Sequence, residues 1–204
     1  MVRQQALAPW TTGTAFAAAH GYRTDWVGRD HPDRQGLQDF IAASFFRTYG
    51  AQVRFFLDML VGCRTEQGEW IAALGFSLAQ DGRTFLEQYL DVPLENAIAA
   101  QTRVPVCRDQ IVEVGNLAAT HVGAGRQLIV RMTRFLHEQG LSWVAFTATP
   151  GLLNSFTRLH LNPHVLAEAD PSRLPDGGKS WGSYYVSRPQ VMFGDIGAGH
   201  AQLA

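Results

Sequence analysis

The sequence predicts an α/β fold in which helices flank a twisted, mixed β-sheet. A β-branched, apolar run that begins near Asp109 leads through a glycine-containing turn into an amphipathic helix that Gly140 ends. A second apolar run, 141–148, follows this helix, and a right-handed crossover makes the two strands parallel. Upstream, 53–63 and 69–80 are strand-like and joined by a short polar connection, which predicts an antiparallel hairpin.

The N-terminal part of the chain is predicted to supply a first strand and a helix. Residues 1–34 form an extension that contains the first strand region. Apolar residues recur at helical spacing over 35–48, and Gly50 follows as the stop signal. Asp33 or Asp30 is placed to cap the first turn of this helix.

The C-terminal half alternates short elements with one irregular loop. The loop, 170–180, is too rich in Pro, Gly and Asp for regular structure, and a loop of this length in a compact domain is often functional. The chain from Gly194 onward is expected to fray, and 200–204 form a tail beyond the main domain, 35–199. The other predicted elements are a helix from Pro93 through Ala99, a helix over 152–159, a strand or loop over 163–169, and short strands over 181–187 and 190–193.

Composition excludes several classes of protein. The 204 residues carry a net charge of −1, so the chain has no basic face of the kind that nucleic acid requires. Its cysteines, Cys63 and Cys107, form no CxxC pair and are expected to stay reduced in the cytoplasm. No signal-peptide pattern is present, and no apolar run approaches the roughly 18 residues that span a bilayer. The histidines show no metal-site spacing, so we expect no metal.

The glycine turn after the first parallel strand is a candidate anion site. Glycines allow a phosphate close to the backbone, and the free N–H groups of a helix start attract negative charge. An arginine in the first helical turn opposes the helix dipole, which indicates an anionic partner. An ordinary strand-to-helix turn is the alternative interpretation. The candidate residues are Val122, Gly123, Ala124, Gly125 and Arg126.

Two polar residues interrupt the apolar strand that precedes this turn. An apolar strand disfavours the ionised form of Glu113, so its pKa is expected to rise toward the working range of a general base. The alternative is a buried structural glutamate bonded to Arg108 or to another arginine. Asn116 is predicted either to orient a substrate or to hold a bulge in the strand.

A cluster of charged and aromatic residues follows the hairpin. Arg83, Glu87 and Asp91 lie close in sequence to Phe85 and Tyr89. The cluster is interpreted either as a wall of a substrate site or as a solvated edge with local ion pairs.

Five stretches of the chain resemble one known family. They are IVEVGNLAATHVGAGRQLI, RTFLEQYLDVPLE, WVAFTATPGLLNSFTRLHL, ADPSRLPDGGKSWGSYY and PQVMFGDIGAG, in this family's order within 35–199. They resemble the thermostable hemolysin family, which belongs with the GNAT acyltransferases and is similar to acyl-homoserine-lactone synthases. This resemblance implies a sheet of about seven strands whose central parallel pair splays apart.

The resemblance also implies an activity and a set of site residues. It implies transfer of an acyl group from a phosphopantetheine thioester to an amine-bearing small molecule, with acyl carrier protein or acyl-CoA as donor and no tightly bound cofactor. Glu113 matches the glutamate that acyl-homoserine-lactone synthases carry on the same strand. The glycine turn is expected to hold the donor, and Asn154 either to hydrogen-bond the pantetheine or to face water. Tyr184 or its neighbour Tyr185 is expected to act as an acid, and Trp181 to line an acyl pocket or to pack in the core.

Two positions depart from the wider GNAT pattern. Thr120 stands where the pyrophosphate signature has Arg or Gln, and Phe156 stands where the general-acid tyrosine usually lies. Both departures favour an acyl carrier protein, which offers a single phosphate, or a long-chain acyl-CoA. Two other functions remain open, namely a membrane-active protein, as the family name indicates, and a module that binds acyl thioesters without catalysis.

Overall fold

A computed structural model describes residues 22–203, so most of the predicted N-terminal extension lies outside the described residues. In this part of the chain, seven strands form one mixed sheet with the order β1-β2-β3-β4-β5-β7-β6. The predicted α/β fold with a seven-stranded mixed sheet is confirmed. The strands are β1 (Arg23–Val27), β2 (Met59–Arg64), β3 (Trp70–Leu78), β4 (Ile111–Ala119), β5 (Trp143–Ala148), β6 (His164–Glu168) and β7 (Gln190–Asp195).

Helices cover both faces of the sheet. The helices predicted near 35–48, from Pro93 and over 152–159 are confirmed, and Gly50 ends the first in the left-handed conformation with φ 68°. Asp33 stands at the N-cap position but gives its carboxylate to Arg64 instead of to a helix N–H. The helices are α1 (Arg34–Tyr49), α2 (Leu94–Thr102), α3 (Val122–Glu138), α4 (Pro150–Arg158) and α5 (Ile196–Leu203).

Successive side chains of β4 point to opposite faces of the sheet, and these two faces carry different helices. Val112 packs in a core with Leu128, Met132 and Leu136 of α3, on the same side as Ile196 of α5. The opposite face carries α1 and α2, each over its own cluster of buried residues. Ile111 belongs to the cluster under α2, so the residues of β4 on either side of Val112, including Glu113, point to the face that carries α1 and α2.

The central parallel pair separates partway along its length. β4 and β5 are paired from Ile111 with Trp143 to Val114 with Phe146. Beyond that point β4 remains paired with β3, and β5 with β7. The splay that the resemblance implied is therefore present, and it leaves part of the backbone of β4 without a partner strand on that side.

A bulge in β4 coincides with the point of separation. The pairing with β3 shifts between Ala73 and Gly75, so that Asn116 and the residue after it oppose a single residue of β3. Asn116 has φ 53°, a left-handed conformation that asparagine tolerates better than most residues. Its side-chain Oδ1 accepts from the N–H of Leu57 at 3.0 Å, and its Nδ2 donates to the carbonyl of Phe55 at 3.1 Å.

Three sequence predictions of local structure are wrong. Residues 53–58 form no strand, because Asn116 bonds their backbone and Arg34 donates to the carbonyls of Leu57 and Asp58, both at 2.7 Å. Residues 181–187 form tight 3₁₀ turns, since Gly182 and Arg188 adopt positive φ angles that break a strand. Residues 196–203, which were expected to fray, form α5, which buries Ile196 and receives a cap from Asp195.

A partly buried ion-pair network holds the segment between β3 and α2. Arg108 bonds both carboxylate oxygens of Glu87, the carboxylate of Glu95 and the carbonyls of Ala79 and Gly82. Burial opposes ionisation of Glu87, but hydrogen bonds from Arg108 and from the N–H groups of two neighbouring residues lower its pKa to about 2. This network fixes the turns that approach β4.

We expect Asn116→Ala to destabilise the fold by roughly 2–4 kcal/mol, because it adds left-handed strain and removes two hydrogen bonds. Asn116→Gly accepts the backbone angle and loses only the bonds, so it should cost about 1–2 kcal/mol less. Urea unfolding of the two variants measures the difference. Equal losses would show that the backbone conformation at this position is unimportant.

We expect Arg108→Met to destabilise the fold by roughly 3–5 kcal/mol at pH 7, because Glu87 would remain buried without its cation. Glu87 has a pKa near 2 in the fold, below its ordinary 4.5. Its contribution to stability is therefore present above pH 4.5 and lost as the pH falls toward 2.

Urea unfolding at several pH values between 2 and 7 tests this linkage. The variant should lose the part of the acid dependence that arises from Glu87. Arg134→Met, which removes an exposed pair with Glu138, is the control and should change stability by no more than about 0.5 kcal/mol. An equal loss in both variants would contradict the assigned role of Arg108.

Candidate functional site

A cavity of about 550 Å³ opens where β4 and β5 separate. This volume lies in the usual range for small-molecule sites. Residues from both faces of the sheet line the cavity, so it passes between the two strands. Glu113, Asn116 and Tyr184, the three predicted catalytic residues, all line it.

Glu113 lies in the wall of the cavity with a side chain that is only 3% exposed. Its carboxylate oxygens accept hydrogen bonds from the N–H groups of Phe85 at 2.9 Å and Leu86 at 3.0 Å. Burial raises the pKa of Glu113 and these two bonds lower it, with a net value of about 7. The alternative of a bond to Arg108 is wrong, because Arg108 binds Glu87 and Glu95 instead. Glu113 can therefore hold or release a proton near neutral pH.

Asn116 supports the wall opposite the separation of the strands. Both of its side-chain groups bond the backbone of 55–57, which places Leu57 over the bulge. A Cβ on Gly75 would lie 3.0 Å from Leu57 and 2.9 Å from the Asn116 side chain, so the close approach requires glycine there. The alternative that Asn116 holds a bulge is what the structure shows, while its amide also borders the cavity.

One end of the cavity is lined by aromatic rings. Phe85 stacks on Phe55 with 5.1 Å between ring centroids, and Trp181 lies 6.1 Å from Phe85 and 5.3 Å from Tyr184. Burial raises the pKa of the Tyr184 phenol above its ordinary value, so the phenol stays protonated at neutral pH. We call this surface the aromatic wall, and its members are Phe45, Tyr49, Phe55, Phe85, Trp181 and Tyr184.

The other end of the cavity is mainly aliphatic. The side chains there come from α3, α4, β5, the loop that precedes β6, and α5. Gly199 of α5 faces Thr133 and Leu161, since a Cβ built on it would lie 3.5 Å from each side chain. We call this surface the aliphatic end, and its apolar members include Ile129, Met132, Leu136, Val144, Leu152, Phe156 and Leu161.

The predicted donor-binding residues lie at the start of α3, outside the lining of the cavity. The helix begins at Val122, so Gly123 and Gly125 lie in its first turn and not in the turn before it. The side chain of His121 caps this turn through the N–H of Ala124. The Nε of Arg126 is buried without a hydrogen-bond partner.

Three other residues, Thr120, Asn154 and Phe156, occupy positions that the sequence connects with donor binding or with proton transfer. Thr120 bonds the carbonyl of Ile71 through its N–H and its hydroxyl, which extends the pairing with β3. Asn154 is exposed on α4 and does not line the cavity. Phe156 is buried and packs on Phe146 with 5.0 Å between ring centroids.

The residues predicted as one substrate wall are separated in the structure. Phe85 lines the cavity, whereas the Tyr89 hydroxyl bonds that of Tyr185. Both carboxylate oxygens of Glu87 accept hydrogen bonds from Arg108. Arg83 and Asp91 are exposed beside a separate shallow hollow, and Asp91 pairs with Arg173 at 2.7 Å. Glu87 and Asp91 therefore form ion pairs with arginines, as in the alternative interpretation, and do not line the cavity.

Sequence reasoning missed several residues that line the cavity. Phe45 and Tyr49 are contributed by α1, Phe55 by the segment before β2, and Gly199 by the C-terminal helix. The only local signal was the spacing of Phe45 and Tyr49, which places both rings on one helical face. Nothing local connects that face to β4.

Two observations concern metals and membranes. Among residues 22–203, no group of three or more His, Cys, Asp or Glu side chains is arranged to hold a metal ion. Within the same residues, no helix combines the length and the apolar character that crossing a membrane would need.

The fold is similar to those of solved acyltransferases. The acyl-homoserine-lactone synthase LasI has a TM-score of 0.57 and 12% identity, covering 86% of this chain and 90% of LasI. BjaI, a CoA-dependent acyl-homoserine lactone synthase solved with SAM and isopentyl-CoA, has a TM-score of 0.57 and 13% identity, covering 90% of this chain and 88% of BjaI. FeeM, an N-acyl amino acid synthase from uncultured soil microbes, has a TM-score of 0.54 and 11% identity, covering 89% of this chain and 95% of FeeM.

At these identities the structural likeness shows a shared fold alone. No curated protein sequence matches the chain. A profile of the family described as thermostable hemolysin matches residues 27–200, most of the chain. The chain therefore belongs to the thermostable hemolysin family, with the GNAT-like fold of N-acyltransferases.

Proposed function

We propose that this protein is an N-acyltransferase that moves an acyl group from a phosphopantetheine thioester to a primary amine. One observation carries the proposal: Glu113, a buried carboxylate with a pKa near 7, lines a cavity that opens where the two parallel strands separate. A base with a pKa near the working pH combines a large basic fraction with useful proton affinity.

Glu113 is the proposed base. An amine in water is mostly protonated at pH 7 and cannot attack a carbonyl carbon. A carboxylate at the cavity wall accepts one proton from the ammonium group and so generates the nucleophile. The bonds from Phe85 and Leu86 hold the carboxylate in one orientation while this happens.

The backbone of β4 is the proposed binding strip for the thioester arm. Beyond Val114 this strand is paired on one side only, so its other edge can bond the amides of an extended pantetheine. N–H groups of the same strip could also stabilise the oxyanion of the tetrahedral intermediate. Tyr184, kept protonated by burial, is the proposed donor of a proton to the leaving thiolate.

The phosphate of the donor is assigned to the start of α3. Val122, Gly123, Ala124 and Gly125 form the first turn of this helix, Arg126 follows in the second turn, and Asn154 lies exposed on α4. The helix start favours an anion, and the buried unbonded Nε of Arg126 is a donor without a partner. Either acyl carrier protein or acyl-CoA can supply such a phosphate. The aliphatic end of the cavity then accommodates the acyl chain.

A second candidate function rests on the hydrogen bonds of Glu113. Both carboxylate oxygens brace the turn at Phe85, which is a structural role that needs no proton transfer. A module that binds acyl thioesters without transferring them would use the same cavity. Kinetics as a function of pH distinguishes the two candidates.

We expect kcat/KM for acyl transfer to rise with pH through an apparent pKa near 7, because only ionised Glu113 of the free protein accepts the proton. Glu113→Gln should lower kcat by about 10²–10⁴-fold and remove this inflection. The measurement is release of free thiol from an octanoyl thioester in the presence of pooled primary amines.

Glu66→Gln, at an exposed carboxylate, is the matched control and should retain the wild-type profile. Thermal unfolding of both variants separates lost chemistry from lost structure, because glutamine cannot accept from both N–H groups as the carboxylate does. Full transfer activity in folded Glu113→Gln would exclude Glu113 as the base. Thioester binding by the wild type without any transfer would favour the binding module.

We expect Gly199→Val to shift the donor preference toward shorter acyl chains, because the new side chain would fill the space between Thr133 and Leu161. The ratio of kcat/KM for dodecanoyl and butanoyl donors should fall at least about tenfold. Ala201→Val, at an exposed position of the same helix, is the control and should leave the ratio unchanged. An unchanged ratio in Gly199→Val would place the acyl chain elsewhere.

A further inference from the structure

We propose that the amine acceptor is an arylalkylamine without a carboxylate, bound with its ring against the aromatic wall and its ammonium group at Glu113. The proposal rests on the proposed acyl transfer and names the class of its second substrate. It depends on three features of the cavity: the continuity of the aromatic wall, its attachment to Glu113, and the charges of the lining.

The aromatic wall is one connected surface. Trp181 touches both halves of it, with ring centroids 6.1 Å from Phe85 and 6.2 Å from Phe45. Tyr184 lies 5.1 Å from Tyr49 in an edge-to-face contact. Rings at these distances and angles form a pocket that accepts another ring by stacked or edge contacts. A flexible aliphatic chain would gain less from such geometry than a planar ring.

Phe85 connects this wall to the base. Its backbone N–H donates to the carboxylate of Glu113 at 2.9 Å, while its side chain stacks on Phe55 inside the cavity. An ammonium group that contacts Glu113 therefore places its organic substituent against Phe85 and Trp181. The faces of these rings also attract the cation, which adds to the ion pair with the carboxylate.

The charges of the lining complement a cation. Its acidic side chains are Glu113 and Asp195, and its other ionisable groups are two histidines and the phenols of Tyr49 and Tyr184. A carboxylate on the α-carbon of the acceptor, two bonds from the ammonium nitrogen, would lie close to the buried carboxylate of Glu113. Like charges that face each other away from water are costly, so the site discriminates against amino acids.

The reaction balances for such an acceptor. The ammonium group transfers one proton to Glu113, and the neutral nitrogen attacks the thioester carbon. The C–S bond breaks as the amide C–N bond forms, and the second proton of the nitrogen ends on the thiolate. Glu113 then releases its proton to solvent, so the products are an amide, a free thiol and one proton.

The experiment compares phenethylamine with phenylalanine, which differ only by the carboxylate, using an octanoyl thioester donor and the full chain. We expect kcat/KM to be at least about tenfold higher for phenethylamine. Binding of each compound to the protein alone, measured by calorimetry, should show the same order. Equal or better use of phenylalanine would overturn the proposal and leave acyl transfer itself intact.

Variants of two residues of the aromatic wall, with a control at the adjacent position of α1, test the role of the rings. Phe45→Leu and Trp181→Leu should lower the preference for phenethylamine over hexylamine about three- to tenfold, mainly through KM. Phe46→Leu, at a side chain that is 63% exposed, is the matched control and should leave this preference unchanged. An unchanged preference in folded Phe45→Leu and Trp181→Leu would overturn the assignment of the aromatic wall.

Failure of transfer is distinguishable from failure of this inference. If no amine is acylated but phenethylamine binds and phenylalanine does not, the amine site stands and the proposed transfer fails. If neither compound binds and neither is acylated, the amine site is overturned. Thermal unfolding of each variant confirms that the comparison concerns folded protein.

Discussion

The β-bulge at Asn116, a residue in the left-handed backbone conformation, is the constraint on which the rest of the site depends. A regular β4 would continue beside β5, bury its backbone in pairing and leave no passage through the sheet. The bulge shifts the register with β3 at the same point where pairing with β5 ends. Because the Asn116 side chain also bonds the backbone of 55–57, the bulge brings Phe55 to the cavity. One residue thus shapes the strand and closes the wall.

Two buried glutamates, Glu87 and Glu113, have opposite electrostatic environments. Glu87 meets a guanidinium group, and its pKa falls to about 2. Glu113 is buried with two backbone N–H groups as its hydrogen-bond donors, and burial raises its pKa to about 7 although these bonds oppose the rise. For Glu113 the difference between this pKa and the ordinary value of 4.5 corresponds to roughly 3 kcal/mol of folding free energy. Because the folded pKa is the higher one, the fold loses this stability as the pH rises from 4.5 through 7. A purely structural brace would be better served by a partner such as Arg108, which favours a role for Glu113 in proton transfer.

The sequence predicted what depends on local pattern. The β4–α3–β5 unit, α1 and the hairpin follow from periodicity and glycine stops, and Glu113 was identified as a charge within an apolar run. The elements it missed depend on distant contacts. The composition of 196–203 carries no helical signal, and α5 forms because Ile196 is buried and Asp195 caps it. The aromatic wall was missed because α1, 53–58 and 181–184 meet only in the folded chain.

The two ends of the cavity differ in a way that suits a two-substrate reaction. The aromatic wall and Glu113 lie on the face that carries α1, and the aliphatic end lies among α3, α4 and α5 on the other face. A thioester carbonyl held beside the free edge of β4 would lie between them. Its acyl chain would extend through the sheet, and an amine would approach from the side of Glu113. Separation of this kind orients the two reactants by the sheet itself, which lowers the entropic part of the barrier before any proton moves.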